Sequence, residues 1–331
     1  MIIVRTPLRL SFVGGGSDLP AFYRHQEGMV VSAAIDKFVY VIVKERFDEA
    51  IYINYSKKEC VDSVDAIEHD LVREAMRITG VTSGVEITTL ADIPSAGSGL
   101  GSSSSITVGL LHALYTYTNQ LVTAEQLARQ ACEIEIERIG KPIGRQDQYA
   151  AAYGGINEFR FRADDTVTRQ PILLDNEGLR RFSSVLLLYF TGITRKADDI
   201  LADQGRNLAT RDTAAAMREM VALVPPFRAA LEQGDMPGCG RLLDHNWQLK
   251  QRMAAGITNE RIGAMYETAK RAGALGGKIA GAGGGGFLML LVPREAQNAV
   301  FEAMRPYREL PFIIERSGSK VIFDDRHYSS K

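Results

Sequence analysis

Pro94-Ser-Ala-Gly-Ser-Gly-Leu-Gly-Ser-Ser-Ser-Ser105 follows a run with strand composition, Val85–Leu90, and leads directly into apolar residues at helical spacing, Ile106, Leu110 and Leu114. Glycines let a backbone approach an anion closely, and the helix start behind them offers unpaired N–H groups at a positive dipole end. The stretch is therefore a candidate phosphate cradle. It is not a Walker A loop, because no Lys follows its last glycine, so the missing positive charge has to come from a metal or from residues elsewhere. The hydroxyls of Ser102 to Ser105 include candidates for touching such a metal. A serine-capped helix is the plainer alternative, but one cap needs one serine and the run is longer than that job requires.

Two further stretches are glycine-rich. Lys278-Ile-Ala-Gly-Ala-Gly-Gly-Gly-Gly-Phe287 contains a formal GxGxxG at Gly281–Gly286. A dinucleotide fingerprint must open a helix, and here the chain continues as a strand-like run, Phe287–Val292, so an NAD-dependent dehydrogenase fails on context. Pro7-Leu-Arg-Leu-Ser-Phe-Val-Gly-Gly-Gly-Ser-Asp18 reads as a strand ending in three glycines, with Ser17 and Asp18 suited to capping a helix or gripping hydroxyls. Taken alone, it is best read as a hairpin with a capped turn.

Two carboxylates stand out. In the helical pattern Thr123–Arg138, Leu127, Ala128, Ala131, Cys132 and the following Ile139 make one small and apolar stripe, and Glu135 lies on it. A carboxylate there is costly unless it is paired or holds a cation, whereas Glu133 and Glu137 face the other way. A buried Arg partner such as Arg145 would equally account for Glu135. Downstream, Gly140-Lys-Pro-Ile-Gly-Arg-Gln-Asp-Gln-Tyr-Ala-Ala151 places Asp147 near the start of a tightly packed helix, a position that a plain first-turn Asp also explains.

The bulk numbers agree with a small-molecule partner. The chain has 331 residues, 45% of them hydrophobic, which supports two cores rather than disorder. Lys plus Arg (39) nearly cancel Asp plus Glu (40), which removes the footprint of a nucleic-acid or anionic-membrane binder. Cys60, Cys132 and Cys239 stand apart without CxxC spacing, so neither disulfides nor zinc are indicated and a reducing cytoplasm is expected. No signal peptide or 18-residue apolar run occurs, so neither export nor a membrane span is expected.

Strand-like runs (Ile2–Val4, Leu8–Val13, Phe38–Phe47, Ile51–Tyr55) mix with helical stretches near Asp65–Thr79, Ser102–Tyr117 and Thr123–Arg138, which predicts an α+β first domain. After Thr194 the chain is mostly helical and broken at Pro225-Pro226. It closes with strands at Phe287–Val292, Phe312–Ile314 and Val321–Phe323 around a helix near Arg294–Arg305. With the apolar run Val185–Phe190 marking the change, the expected division is 1–180 and 181–331.

The three glycine-rich stretches and two carboxylates together, in this order from Pro7 to Phe287, resemble the GHMP kinases, the superfamily of galactokinase, homoserine kinase, mevalonate kinase and phosphomevalonate kinase. Leu8–Pro20, Arg145-Gln-Asp-Gln-Tyr149 and Thr191-Gly-Ile-Thr-Arg-Lys196 are similar to the branch holding D-glycero-D-manno-heptose 7-phosphate kinases and the kinase domain of L-fucokinase. The resemblance implies a two-domain α+β fold, an N-terminal ribosomal-protein-like ATP-binding domain and a ferredoxin-like C-terminal domain. It implies transfer of phosphate from ATP to an anomeric hydroxyl, with heptose 7-phosphate first, an L-fucokinase-like or other sugar 1-kinase second, and a catalytically silent binding protein as the alternative of another class. The heptose product would feed nucleotide-heptose and surface polysaccharide synthesis.

Carried over by resemblance, Pro94, Gly97, Ser98, Gly99, Leu100, Gly101, Ser102, Ser103 and Ser104 bind ATP, with Ser103 and Glu135 on Mg²⁺. Asp147 is the catalytic Asp, as base or as electrostatic stabiliser, and Arg9 serves the reacting phosphate. The substrate falls to Gly15, Gly16, Ser17, Asp18, Arg145, Gly283 and Gly284, and cations for a substrate phosphate are sought among Arg195, Lys196, Arg145 and Lys278. The chain carries Gly14-Gly15-Gly16 where galactokinase-like members have Gly-Glu-His, so galactose specificity is not carried over. A homodimer is left open.

Overall fold

The computed structural model describes residues 1–94, 97–194, 197–208 and 211–326. Its strands are β1 (Ile2–Val13), β2 (Gly28–Glu45), β3 (Ile51–Asn54), β4 (Lys58–Val61), β5 (Val85–Ala91), β6 (Ile156–Phe161), β7 (Val167–Pro171), β8 (Leu186–Phe190), β9 (Gly276–Ile279), β10 (Phe287–Leu291) and β11 (Lys320–Asp324). Among the described residues the larger sheet runs β11-β1-β2-β5-β3-β4, with β6 paired to the first half of β2 and β7 to β6. Among the described residues only the β3–β5 pairing is parallel. The smaller sheet runs β8-β10-β9, all antiparallel, and a bridge from Glu309 to Tyr189 extends it at the β8 edge. In chain order that is 4-1-3-2, the antiparallel arrangement expected of a ferredoxin-like unit.

The helices are α1 (Pro20–Tyr23), α2 (Asp70–Thr79), α3 (Ser102–Tyr117), α4 (Ala124–Cys132), α5 (Gln146–Tyr153), α6 (Asn176–Ser184), α7 (Ala197–Asn207), α8 (Arg211–Ala222), α9 (Val224–Gln233), α10 (Met236–Gln251), α11 (Glu260–Arg271) and α12 (Gln297–Met304). Helix α3 lies against β1 and β2, burying Leu110, Leu111 and Leu114 with Leu8, Leu10 and Val41. Each such side chain contributes about 1.5–3 kcal/mol by leaving water. This packing fixes the N-terminus of α3 beside Arg9 on β1.

Three local readings are corrected. The expected strands Ile2–Val4 and Leu8–Val13 are one strand, β1, because Pro7 is accommodated by a register shift in which Asp36 and Lys37 of β2 bulge out. The expected strand at Phe312–Ile314 is only a bridge, Ile314 to Ile35, that latches onto that bulge. The expected helix Thr123–Arg138 is α4 followed by a π-helical turn, Glu133–Arg138, in which the Ile139 N–H donates to the Ile134 carbonyl at 3.0 Å. The wide turn leaves Glu135 fully buried while the Glu137 side chain stays 60% exposed.

Candidate active site

One cleft gathers residues from all three glycine-rich stretches and from the start of α5: Arg9, Gly16, the segment Gly97–Ser104 without Leu100, Asp147 and Gly281 all line it. Gly101 sits at the N-cap of α3 with φ +79°, and among the described residues no side chain caps the first helical turn, so the N–H groups of Ser102 to Ser104 are left for an anion. Gly99 lies flat on the Lys278–Phe287 stretch, where an added Cβ would fall 2.3 Å from the Ala280 carbonyl oxygen. The two glycine-rich loops therefore brace each other, and β10 rather than a helix follows the second of them.

Arg9 and Asp147 face each other across this cradle. Arg9 Nε donates to Asp147 Oδ1 at 2.7 Å, Nη2 reaches Oδ2, and Nη1 donates to the Gly99 carbonyl at 2.6 Å. A forked guanidinium–carboxylate pair of this kind fixes both side chains in one orientation. The Arg9 side chain is 5% exposed and that of Asp147 is 23%, so the carboxylate edge is what meets the cleft.

On the other side of α3, Ser103 Oγ donates to Glu135 Oε1 at 2.6 Å, and Gln148 Nε2 donates to Glu135 Oε2 at 2.8 Å. Lys141 Nζ is 2.8 Å from Ser103 Oγ and 3.4 Å from Glu135 Oε1. A hydroxyl and a buried carboxylate oxygen already attract a cation, and they are the hard oxygen donors that Mg²⁺ takes when waters and phosphate oxygens complete its shell. The donor set fits that ion, and it contains neither the sulfur nor the imidazole that softer metals select.

Asp18 is buried and accepts from Gly16 N (3.0 Å), Gln146 N (3.2 Å) and Gln146 Nε2 (3.2 Å). Burial, and then the Asp147 charge, push its carboxyl above the ordinary range. Two buried amines stand nearby. Lys250 on α10 donates to the Gly15 carbonyl (3.2 Å) and Gln204 Oε1 (3.0 Å), and Lys278 on β9 donates to the Ser11 carbonyl (2.9 Å). Burial brings Lys250 down to about 8, and burial together with Lys250 and Arg9 brings Lys278 well below its usual value.

The geometry has counterparts among known proteins. Residues 56–155 match the GHMP kinases N terminal domain and residues 227–308 the GHMP kinases C terminal domain. D-glycero-alpha-D-manno-heptose 7-phosphate kinase of Campylobacter jejuni is 30% identical over 92% of this chain and 93% of its own length. The chain belongs to the GHMP kinases. A D-glycero-D-manno-heptose 1-phosphate kinase structure from Bacteroides thetaiotaomicron superposes with a TM-score of 0.82 at 27% identity, covering 99% of this chain and 100% of that one. The bifunctional fucokinase/GDP-fucose pyrophosphorylase of Arabidopsis thaliana is 27% identical over 89% of this chain, which spans 30% of that enzyme. The GHMP kinase described here thus has the two-domain α+β fold of its family and is an ATP-dependent sugar kinase.

Not every expected site residue of this GHMP kinase reaches the cleft. Ser17 Oγ is engaged with the Met29 backbone at 3.0 Å. Gly283 and Gly284 pack on Ile257, whose carbonyl accepts from Gly284 N at 2.7 Å, and Gly281 and Ala282 line the cleft in their place. Pro94 is off the wall, and Leu100 is a core residue whose carbonyl takes the Arg9 N–H at 2.9 Å. Arg145 turns away to Tyr23 (2.9 Å) and Asp165 (3.3 Å), so it is neither the partner of Glu135 nor a cleft cation. Arg195 and Lys196 lie outside the described residues. Lys141, Gln146 and Lys250 line the cleft and were missed by the sequence reading. Lys250 follows Leu243 and Trp247 on the buried side of α10, the same stripe logic that singled out Glu135.

The lysines predict an unusual pH profile. Facing Lys250 are the Gly15 carbonyl, Gln204, Asp18 and Lys278, and its folded value of about 8 lies below the 10.5 of an exposed lysine. Between those values the unfolded chain binds this proton and the folded chain does not, so the contribution of Lys250 to stability rises with pH across that window. Across pH 7 to 10 the gap in thermal midpoint between the wild type and Lys250→Met should move in favour of the wild type above about pH 8, because the buried Cys132 and Cys239 thiols, pushed up by burial, pull both proteins equally the other way. A gap between the wild type and Lys250→Met that stays constant throughout this interval would contradict the assignment.

Proposed function

We propose that this GHMP kinase phosphorylates the anomeric hydroxyl of D-glycero-D-manno-heptose 7-phosphate to the 1,7-bisphosphate, using ATP with Mg²⁺, in the cytoplasm, for nucleotide-heptose and surface polysaccharide synthesis. The observation that carries the reading is the end-to-end match, 30% identity over 92% of this chain and 93% of its relative, to a heptose 7-phosphate kinase. Within the same reading, residues 1–180 form the ATP-binding domain and 181–331 the second domain, with β11 crossing back to the first sheet.

Phosphoryl transfer passes through a loose transition state, so the protein chiefly positions groups and neutralises charge. The N-terminus of α3 and the Gly97–Ser104 loop take the nucleotide phosphates. Ser103 and Glu135 would hold Mg²⁺, which supplies positive charge to the phosphate oxygens when bound. Asp147, held by Arg9, receives a hydrogen bond from the anomeric hydroxyl and accepts or orients its proton as the new O–P bond forms and ADP leaves. An anomeric hydroxyl is more acidic than an ordinary alcohol, so a weak base suffices. Asp18 and the Gly15–Gly16 backbone bind the sugar.

Coupled ADP release with Mg·ATP against heptose 7-phosphate, mannose, L-fucose and galactose tests this, with phosphorus NMR of the product. A new anomeric phosphate on heptose 7-phosphate is expected. Turnover confined to an unphosphorylated sugar would retain the kinase and discard the heptose 7-phosphate assignment.

A further inference from the structure

We propose that Lys250, with Lys278 and Ser11 behind it, forms an anion subsite that receives the phosphate at the far end of the sugar. This rests on the heptose 7-phosphate reading above. An ammonium group has three N–H donors. Lys250 uses two of them and Lys278 one, on a backbone carbonyl and an amide oxygen in the first case and a backbone carbonyl in the second. No acceptor is charged, and among the described residues neither lysine forms an ion pair. The acid that acts on both at longer range is Asp18.

Burying two amines without a counter-ion is costly for a fold, and apolar side chains of similar size would ordinarily serve the packing as well. Their arrangement answers to a ligand instead. Ser11 Oγ, buried and on the cleft wall, has no hydrogen-bond partner among the described residues. Asp18 is a single carboxylate, its oxygens already accept from Gly16 and Gln146, and neither amine donates to it. The unused donors and the hydroxyl suit the several oxygens of a phosphate dianion.

The glycine run explains how the amines get there. A Cβ on Gly16 would lie 3.3 Å from Lys250 Nζ, and one on Gly15 would lie 3.1 Å from Ser11 Oγ and 3.8 Å from Lys278 Nζ. Any larger side chain would fill the space that the amines face. Lys250 reaches the cleft over the segment that carries Asp18, whereas the nucleotide cradle is built by Gly97–Ser104 and the start of α3. A sugar with its anomeric hydroxyl at Asp147 extends away from the cradle along that segment, and its distal phosphate meets Lys250.

The quantity to measure is the ratio of kcat/KM for heptose 7-phosphate over that for the unphosphorylated heptose. Lys250→Met should lower the ratio about 100-fold, and Lys250→Arg, which keeps the charge, should restore most of it. Ser11→Ala, a gentler change should Lys250→Met not fold, should lower the same ratio about fivefold. A purely structural lysine would depress both substrates in parallel and leave the ratio at its wild-type value, which overturns the proposal. A rise in KM for ATP matching that for the sugar would assign the charge to the nucleotide and overturn it too. A wild-type ratio near one removes the heptose 7-phosphate reading itself, whereas a high wild-type ratio that survives in Lys250→Met removes only the subsite.

Discussion

Asp147→Asn should turn sugar over about 1,000-fold more slowly than the wild type, with kcat and kcat/KM falling together and the KM for ATP little changed. The carboxylate is gripped by both arms of the Arg9 fork, so it enters the reaction already oriented. An amide in its place turns an N–H donor toward that fork and loses the charge that polarises the sugar hydroxyl. Equal falls in the two parameters would mean that the contact is made only in the transition state. The same change leaves Arg9, nearly buried, without its counter-charge, and removing one partner of such a pair costs about 3–5 kcal/mol when burial is complete. A thermal melt therefore has to accompany the kinetics. A stable Asp147→Asn protein working at the wild-type rate would remove Asp147 from the mechanism.

Glu135→Gln should be the second severe variant. Its side chain keeps its size and can still meet Ser103 and Gln148, which stand 2.6 and 2.8 Å from the carboxylate oxygens, but the charge that would hold Mg²⁺ is gone. Turnover should fall at least about 100-fold, and the Mg²⁺ concentration for half-maximal rate should rise about tenfold or more. Because a bound ligand stabilises the folded state, Mg·ATP should also raise the melting temperature less in the variant than in the wild type. An unchanged Mg²⁺ requirement would leave Glu135 as a buried partner of Lys141 and Ser103 and nothing more.

Much of this site was legible before the structure because its signals are local. The Gly-Ser run fixed where α3 begins, since glycine and serine have few other reasons to crowd ahead of an apolar helical pattern. Glu135 was found from its place on an apolar stripe, and the π-helical turn that completes its burial leaves no mark in residue spacing. Strands β6 and β7 were overlooked because they read as polar. Glu158 is buried nonetheless, since Arg160 and Arg228 pair with it, and those contacts are tertiary. Arg145 was misassigned for the converse reason: proximity to Asp147 in sequence put it near the site, while its position before α5 sends the side chain to Tyr23 and Asp165. Lys250 needed only the stripe argument applied once more, to a helix whose other half carries no motif.

Strand β11 has a consequence for how the molecule is made. Residues 320–324 add to the free edge of β1, pairing Ile2 with Asp324 and Arg5 with Lys320, and Ser319 joins Thr6 and His112 through its hydroxyl. The strand that carries Arg9 therefore lacks its outer neighbour until more than three hundred further residues have left the ribosome. Contacts of such long sequence separation form late, because loop closure must come first. During synthesis the early sheet would present an open edge, a site where another nascent chain could add a strand, and a chaperone or rapid completion of the chain would guard against it.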